Sequence, residues 1–69
     1  MFSPLKRIRV ERGLSQDDVC RRVPQVSASA IRAFDRGDSI PRGKTLILLS
    51  RGLGVSVEEL LEGVDVGVR

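Results

Sequence analysis

The stretch that decides the fold runs from residue 14 to residue 37 and reads LSQDDVCRRVPQVSASAIRAFDRG. It contains two helix-start signals, Ser15 and Ser27, because a serine at the N-cap accepts a hydrogen bond from a backbone amide of the first turn. Asp18 follows Ser15 at the spacing of a capping box, in which the acid returns a hydrogen bond to the cap residue. The stretch therefore predicts two short helices joined by a tight turn.

The same helix-start pattern recurs on both sides of this stretch. Ser3 precedes Pro4, a residue that suits the first position of a helix. Ser56 precedes Glu59 at the capping-box spacing. Three of the caps also have the apolar pair of a hydrophobic staple. These pairs are Leu14 with Val19, Val26 with Ile31, and Val55 with Leu60.

Apolar residues at helical spacing fill the remaining segments. Leu5 and Ile8, with Val10 as a further candidate, give the first helix an apolar face. The leucine-rich run between Pro41 and Gly54 also fits helical spacing. The prediction is an all-α, compact domain over residues 1–62, followed by a short tail, 63–69, that is either a frayed end or a pairing strand. The five predicted helices span residues 4–12, 15–22, 27–35, 43–51 and 56–61.

Composition limits the possible functions. The chain has 69 residues, enough for one domain, and a net charge of +3. Residues 1–44 contain ten Lys or Arg and five Asp or Glu, whereas residues 45–69 contain two and four. The basic part could face a polyanion, although an ordinary solvated surface has the same pattern. Cys20 is the only cysteine and histidine is absent, so we expect no disulfide, no metal site and no cofactor.

The sequence also argues against a membrane protein and against an enzyme. It has no run of about 20 apolar residues and no apolar signal-peptide core, so we expect a cytoplasmic protein with no membrane partner. The chain ends soon after the fifth predicted helix, so we expect no attached sensing domain. The Gly-Lys-Thr sequence at 43–45 lacks the earlier glycine of a phosphate-binding loop, because position 38 is Asp.

The second of the two central helices has a small, basic outer face. If Ala30, Ile31 and Phe34 point into the core, the residues on the opposite side point outward. These are Ala28, Ser29, Arg32, Ala33 and Arg36. Such a face can enter the major groove of B-DNA, which is about 12 Å wide, more readily than a bulky or acidic one.

Three pieces of sequence, in this order and spacing, carry a family resemblance. They are Leu14-Ser15-Gln16, then Ile31 with Phe34-Asp35-Arg36-Gly37, then Leu53-Gly54-Val55-Ser56 leading into Glu58-Glu59-Leu60-Leu61. Together they resemble the lambda-repressor-like, Cro/CI-type (XRE-like) helix-turn-helix family over residues 4–62. The resemblance implies a five-helix DNA-binding domain that controls transcription.

The resemblance also implies roles for individual residues. Those facing base edges would be Ser27, Ala28, Ser29, Arg32 and Ala33. Gln16, Arg42 and Lys44 would contact DNA phosphates, and Arg36, on the basic outer face, is a further candidate. Arg9 and Asp35 would form a structural ion pair between the first and third helices. Leu53, Val55 and Val57 would lie at the contact of a homodimer, which would place two recognition helices about 34 Å apart on a palindromic operator.

The chain departs from the family pattern at several positions. The turn at residues 23–26 lacks the usual glycine and is one residue longer, which predicts a tilted recognition helix. Asp35 stands where Glu is usual, and Cys20, expected to be a small buried residue, stands where Ala is usual. Ala28 and Ala33 can contact thymine methyl groups but donate no hydrogen bond. Base reading would then depend on serines, Arg32 and DNA shape.

Two functions remain open. The first is a sequence-specific transcriptional regulator that acts as a repressor; a phage repressor, a Cro-like protein, a restriction-modification controller and an antitoxin all fit. The second is a protein-interaction module that keeps the fold but has lost base reading, and so would act through a protein partner. The two alanines on the recognition face motivate this alternative.

Overall fold

The computed structural model describes residues 3–61, which contain five α-helices and no strand. The helices are α1 (Pro4–Glu11), α2 (Gln16–Arg22), α3 (Ala28–Arg36), α4 (Gly43–Leu53) and α5 (Val57–Leu61). The predicted all-α fold is therefore confirmed, and each helix lies within two residues of its expected bounds. The tail 63–69, whose structure the sequence left open, lies outside the described residues.

The serine caps define where the helices begin. The side chains of Ser3, Ser15 and Ser27 accept hydrogen bonds from backbone amides at the starts of α1, α2 and α3. Ser15 and Asp18 form both hydrogen bonds of a capping box. The Ser56 hydroxyl accepts from the Glu59 amide at 3.1 Å, and the Glu59 carboxylate accepts from the Ser56 amide at 3.0 Å. The starts of α1, α2, α3 and α5 are thus set by contacts within three residues of sequence.

The core lies where the five helices converge. α3 packs against α1 and α2, α4 packs against α2, and α5 packs against α1 and α4. The most deeply buried side chains come from α2 to α4 and from the turn after α2: Val19, Val23, Ile31, Leu49 and Leu53. Cys20 and Phe34 are only half-buried against this core. Val10 is exposed, so the apolar face of α1 consists of Leu5 and Ile8 alone.

A close approach between α4 and the end of α2 fixes the base of the helix-turn-helix unit. A Cβ atom at Gly52 would lie 2.5 Å from Val23 Cγ2 and 2.9 Å from the Arg22 carbonyl oxygen. Because real Cβ atoms do not approach backbone this closely, only glycine fits there. α4 therefore supports the start of the turn that leads into α3.

Within residues 3–61, no helix is both long and apolar enough to cross a lipid bilayer.

Candidate nucleic-acid interface

The outer face of α3 presents small side chains and one arginine. Ala28, Ser29 and Arg32 are exposed, and Ala33 is half-buried. Ile31, on the inner face, is fully buried and holds the helix against the core. Four of the five residues expected to face base edges therefore lie on accessible surface, and Ala33 lies at its margin.

Ser27, the fifth of these residues, serves as the N-cap of α3. It is exposed, and its Oγ accepts a hydrogen bond from the Ala30 amide at 3.1 Å. The hydroxyl proton is not used in that bond, so Ser27 can still donate to an acceptor outside the chain. The cap therefore keeps one hydrogen-bonding function at the exposed end of the helix.

An open groove of about 570 Å³ joins the start of α3 to the start of α4. Val26, Ala30 and Leu48 are its apolar lining. Its polar lining comes from Gln25, Ser27, Lys44 and Thr45. Ser27, a candidate base contact, and Lys44, a candidate phosphate contact, therefore belong to one continuous surface.

The cations at the start of α4 are available to a ligand. Arg42 is the N-cap residue of this helix, and its side chain makes no capping hydrogen bond. Arg42 and Lys44 are both exposed. Within the described residues, neither forms an ion pair with a carboxylate of this chain.

Arg36, by contrast, is engaged by a carboxylate of its own chain. Its Nε donates to Asp38 Oδ2 at 2.8 Å, and both side chains are largely exposed, at 59% and 62%. A phosphate that bound Arg36 would compete with this carboxylate. The three candidate phosphate-binding cations are therefore not equivalent.

A buried network connects three helices behind the recognition face. Arg9 on α1 donates from Nε to Asp35 Oδ1 at 2.8 Å and from Nη2 to Oδ2 at 3.2 Å, a two-point contact. Its Nη1 also donates to the Leu14 carbonyl oxygen at 3.0 Å. The Ser3 hydroxyl donates to the Asp35 carbonyl oxygen at 2.9 Å. Arg9 and Asp35 thus form the ion pair that the resemblance implied, and it ties α3 to α1.

Gln16 belongs to the same network. Its Nε2 donates to Asp35 Oδ2 at 3.0 Å, and its side chain is half-buried. A primary amide has two N–H groups and a carbonyl oxygen, so one donor is used and another remains. The expected phosphate contact of Gln16 stays a prediction, but the structure adds a second role, which sequence reasoning missed.

The environment of Asp35 favours its charged form. Burial raises the pKa of this carboxyl, but hydrogen bonds from Arg9 and Gln16 and the positive charges of Arg9 and Lys6 outweigh burial and leave the pKa below its usual value. Among the described residues, every buried side-chain nitrogen and oxygen has a hydrogen-bond partner. The buried polar atoms of the network are therefore all hydrogen-bonded, as expected of a network that stabilises the fold.

The candidate dimer residues are distributed unevenly between core and surface. Leu53 and Val55 are only 1% and 8% exposed in the single chain, because they pack in its own core. Val57, in the first turn of α5, is half-buried. Of the three, Val57 has the most surface left for a second copy, so the expected dimer contact stays a prediction centred on α5.

In residues 3–61, no group of three or more His, Cys, Asp or Glu side chains could hold a metal ion. Cys20 is half-buried and forms no disulfide.

Comparison with known proteins identifies the family of this chain. A helix-turn-helix family model matches residues 5–60. The chain is 36% identical over 61 residues to the HTH-type transcriptional regulator DdrOP3 of Deinococcus deserti (strain DSM 17065 / CIP 109153 / LMG 22923 / VCD115), an alignment that covers 88% of this chain and 46% of the relative. The chain thus aligns with about half the length of that protein. No solved structure matches the chain significantly. With five helices in this arrangement and a family match over most of its length, the chain belongs to the Cro/CI-type (XRE-like) helix-turn-helix family of DNA-binding domains.

Proposed function

We propose that the chain is a sequence-specific transcriptional regulator that inserts α3 into the major groove of double-stranded DNA and acts as a dimeric repressor. The observation that carries the proposal is the surface formed by the outer face of α3 and the start of α4. It combines exposed small side chains, Arg32, and the exposed cations Arg42 and Lys44. The regulator named among its relatives, with which it shares 36% identity, supports the same function.

Base reading is assigned to five residues at the start and on the outer face of α3. Arg32 reaches a guanine with its two-pronged guanidinium, and Ser27 and Ser29 donate to or accept from base edges. Ala28 and Ala33 contact thymine methyl groups and leave room for the helix to approach closely. The phosphate contacts of Gln16, Arg36, Arg42 and Lys44 set the position of α3 without reading sequence.

Dimerisation through α5 would double this surface. Two copies related by a two-fold axis would place their α3 helices about 34 Å apart, one turn of DNA, and would select a palindromic operator. Bound across a promoter in the cytoplasm, such a dimer would exclude polymerase. A partly exposed Val57 next to a core anchored by Leu53 and Val55 is compatible with this contact.

The test is fluorescence anisotropy with duplex DNA from upstream of the protein's own gene, across a salt series. The logarithm of the association constant should fall linearly with the logarithm of salt concentration, with a slope of about −0.9 per neutralised phosphate. Arg32→Ala should cost about 1–3 kcal/mol of discrimination at one base pair. Arg51→Ala, an exposed arginine near the end of α4, is the matched control. Absence of binding to any duplex at low salt would refute the proposal.

A second candidate function rests on the alanines of the recognition face. With Ala28 exposed and Ala33 half-buried, two of the five candidate reading positions offer no hydrogen bond. A helix-turn-helix module of this kind could bind a larger regulator in place of DNA. Selection from a random duplex pool separates the two functions, because a module without base reading would enrich no sequence.

A further inference from the structure

The carboxylate of Asp38 lies at the basic end of α3. Its Oδ2 accepts a hydrogen bond from Arg36 Nε at 2.8 Å, and both side chains face solvent. In the sequence from residue 36 to residue 57, Asp38 is the only acidic residue, whereas Arg36, Arg42, Lys44 and Arg51 are basic. A single negative charge therefore interrupts an otherwise cationic segment.

The backbone holds Asp38 where it meets Arg36. Gly37 adopts a left-handed conformation with φ of 85°, and its amide donates to the Phe34 carbonyl oxygen at 3.1 Å. The Asp38 amide donates to the Ala33 carbonyl oxygen at 2.9 Å. These two bonds form a Schellman motif, the usual glycine-containing helix end. The position of Asp38 relative to α3 is therefore fixed by the chain.

Stability gives little reason for an acid at this position. Exposed ion pairs contribute little to folding, because water screens them and two long side chains must be ordered. A negative charge also interacts unfavourably with the carbonyl end of a helix. Asp38 therefore contributes little to the stability of the fold or lowers it. At the same time its carboxylate is paired with the guanidinium of Arg36, a cation of the candidate DNA surface.

We propose that Asp38 attenuates DNA binding by competing with phosphate for Arg36. In the free protein the pair is locally neutral, and a phosphate must displace the carboxylate or approach it against repulsion. This inference rests on the proposed function, since it concerns the same DNA surface. Asp38 acts through Arg36 and is thus a positioning residue, not a DNA contact.

The consequence is weaker retention of the protein on DNA outside its operator. Non-specific binding is almost entirely electrostatic, whereas specific binding adds contacts to base edges. Neutralising one cation weakens non-specific binding at least as much as specific binding, so less protein is retained on random sequence.

The test is Asp38→Asn, which keeps the shape of the side chain and removes its charge. We expect tighter binding to both operator and random duplex. The slope of the salt dependence should become steeper by about 0.9 for each bound chain, the value for one additional phosphate contact. The advantage of the variant should consequently shrink by roughly threefold for each bound chain between 50 and 200 mM salt. Thermal unfolding of the variant should match that of the wild type.

Glu11→Gln is the matched control. It makes the same change in net charge at an exposed residue at the end of α1, outside the candidate DNA surface and the candidate dimer contact. Its salt slope should equal that of the wild type. An equal steepening in both variants would show a general charge effect and would overturn the inference.

Arg36→Ala completes the experiment. If Asp38 acts through Arg36, then Asp38→Asn should not steepen the salt slope when Arg36 is already alanine. The same steepening in the Arg36→Ala background would overturn the competition. An unchanged slope for Asp38→Asn in a protein that binds its operator would overturn it as well and leave the proposed function intact. If the wild type binds no duplex, the proposed function itself fails.

Discussion

Two Arg–Asp pairs at the C-terminal part of α3 have the same shortest contact and opposite surroundings. Arg9 and Asp35 approach to 2.8 Å with side-chain exposures of 15% and 4%, whereas Arg36 and Asp38 approach to 2.8 Å at 59% and 62%. Arg9 and Asp35, the inner pair, are 26 positions apart, and the Asp35 carboxylate also accepts a hydrogen bond from Gln16. Arg36 and Asp38, the outer pair, are two positions apart. Distance alone therefore says little about what an ion pair does, because burial decides whether it affects folding or an external ligand.

The largest expected effect comes from breaking the inner pair. Arg9→Ala should lower the free energy of unfolding by about 1–3 kcal/mol, because a buried carboxylate loses its main donor. The change can be measured by urea or thermal unfolding. The matched comparison is Arg36→Ala, which breaks the outer pair by the same substitution. Equal stability losses in the two variants would contradict the contrast drawn between the pairs.

Loss of the Gln16 hydrogen bond should have a smaller effect on the inner pair. Gln16→Met keeps the length of the side chain and removes its donor to Asp35, so we expect a loss of about 1 kcal/mol. The pKa of Asp35 should also rise toward its usual value, since one of the groups that stabilise the carboxylate is gone. Carbon-detected NMR titration would measure that pKa. An unchanged Asp35 pKa would show that Gln16 does not support the carboxylate.

Acid should weaken the inner pair through the same carboxyl. The pKa of Asp35 is lower in the folded chain than its usual value of 3.8, so folding favours the charged form. The resulting stability is fully present above about pH 4 and is lost as pH falls through the lower folded pKa. Asp35→Asn should therefore lose less stability than the wild type on acidification. The capping carboxyls Asp18 and Glu59 also have lowered pKa values, but they are present in both proteins, so their contributions cancel.

The smallest expected effect on folding comes from the outer pair. Arg36→Ala should change the free energy of unfolding by no more than about 0.5 kcal/mol, because exposed pairs are worth little. The same variant should weaken binding to duplex DNA, since it removes a cation and leaves the Asp38 carboxylate. Thermal unfolding and anisotropy on one preparation would test both statements. A large loss of stability would place the outer pair in the same class as the inner one.

The helices were predictable because their signals are local. Ser3, Ser15, Ser27 and Ser56 each cap a helix through groups no more than three residues away, and so four of the five helix starts can be read from neighbouring residues. The exposed face of α3 follows from the same information, since helical periodicity places Ala28, Ser29 and Arg32 opposite the buried Ile31. The Arg9–Asp35 pair required the family resemblance, because nothing local connects residues 26 positions apart.

Other features of the site could not be obtained in this way. The burial of Leu53 and Val55 in the core of the single chain, which leaves mainly Val57 of the three candidates for a dimer contact, depends on how α4 and α5 cross. The exposure of Val10 likewise depends on which side of α1 its neighbours cover. Helical periodicity shows on which side of a helix an apolar residue lies, but it does not show how much of that side the neighbouring helices cover.

The sequence by itself determined the number of helices and their bounds to within two residues, the basic and acidic parts of the chain, and the outward side of α3. Only the tertiary structure decided that Asp35 is shared by Arg9 and Gln16 and that Gly52 lies against the end of α2. The physical reason is the separation along the sequence over which each interaction acts. Caps and helical faces depend on groups within one or two turns, whereas shared hydrogen bonds and close backbone contacts depend on the crossing of whole helices, which is set by the packing of all their side chains together.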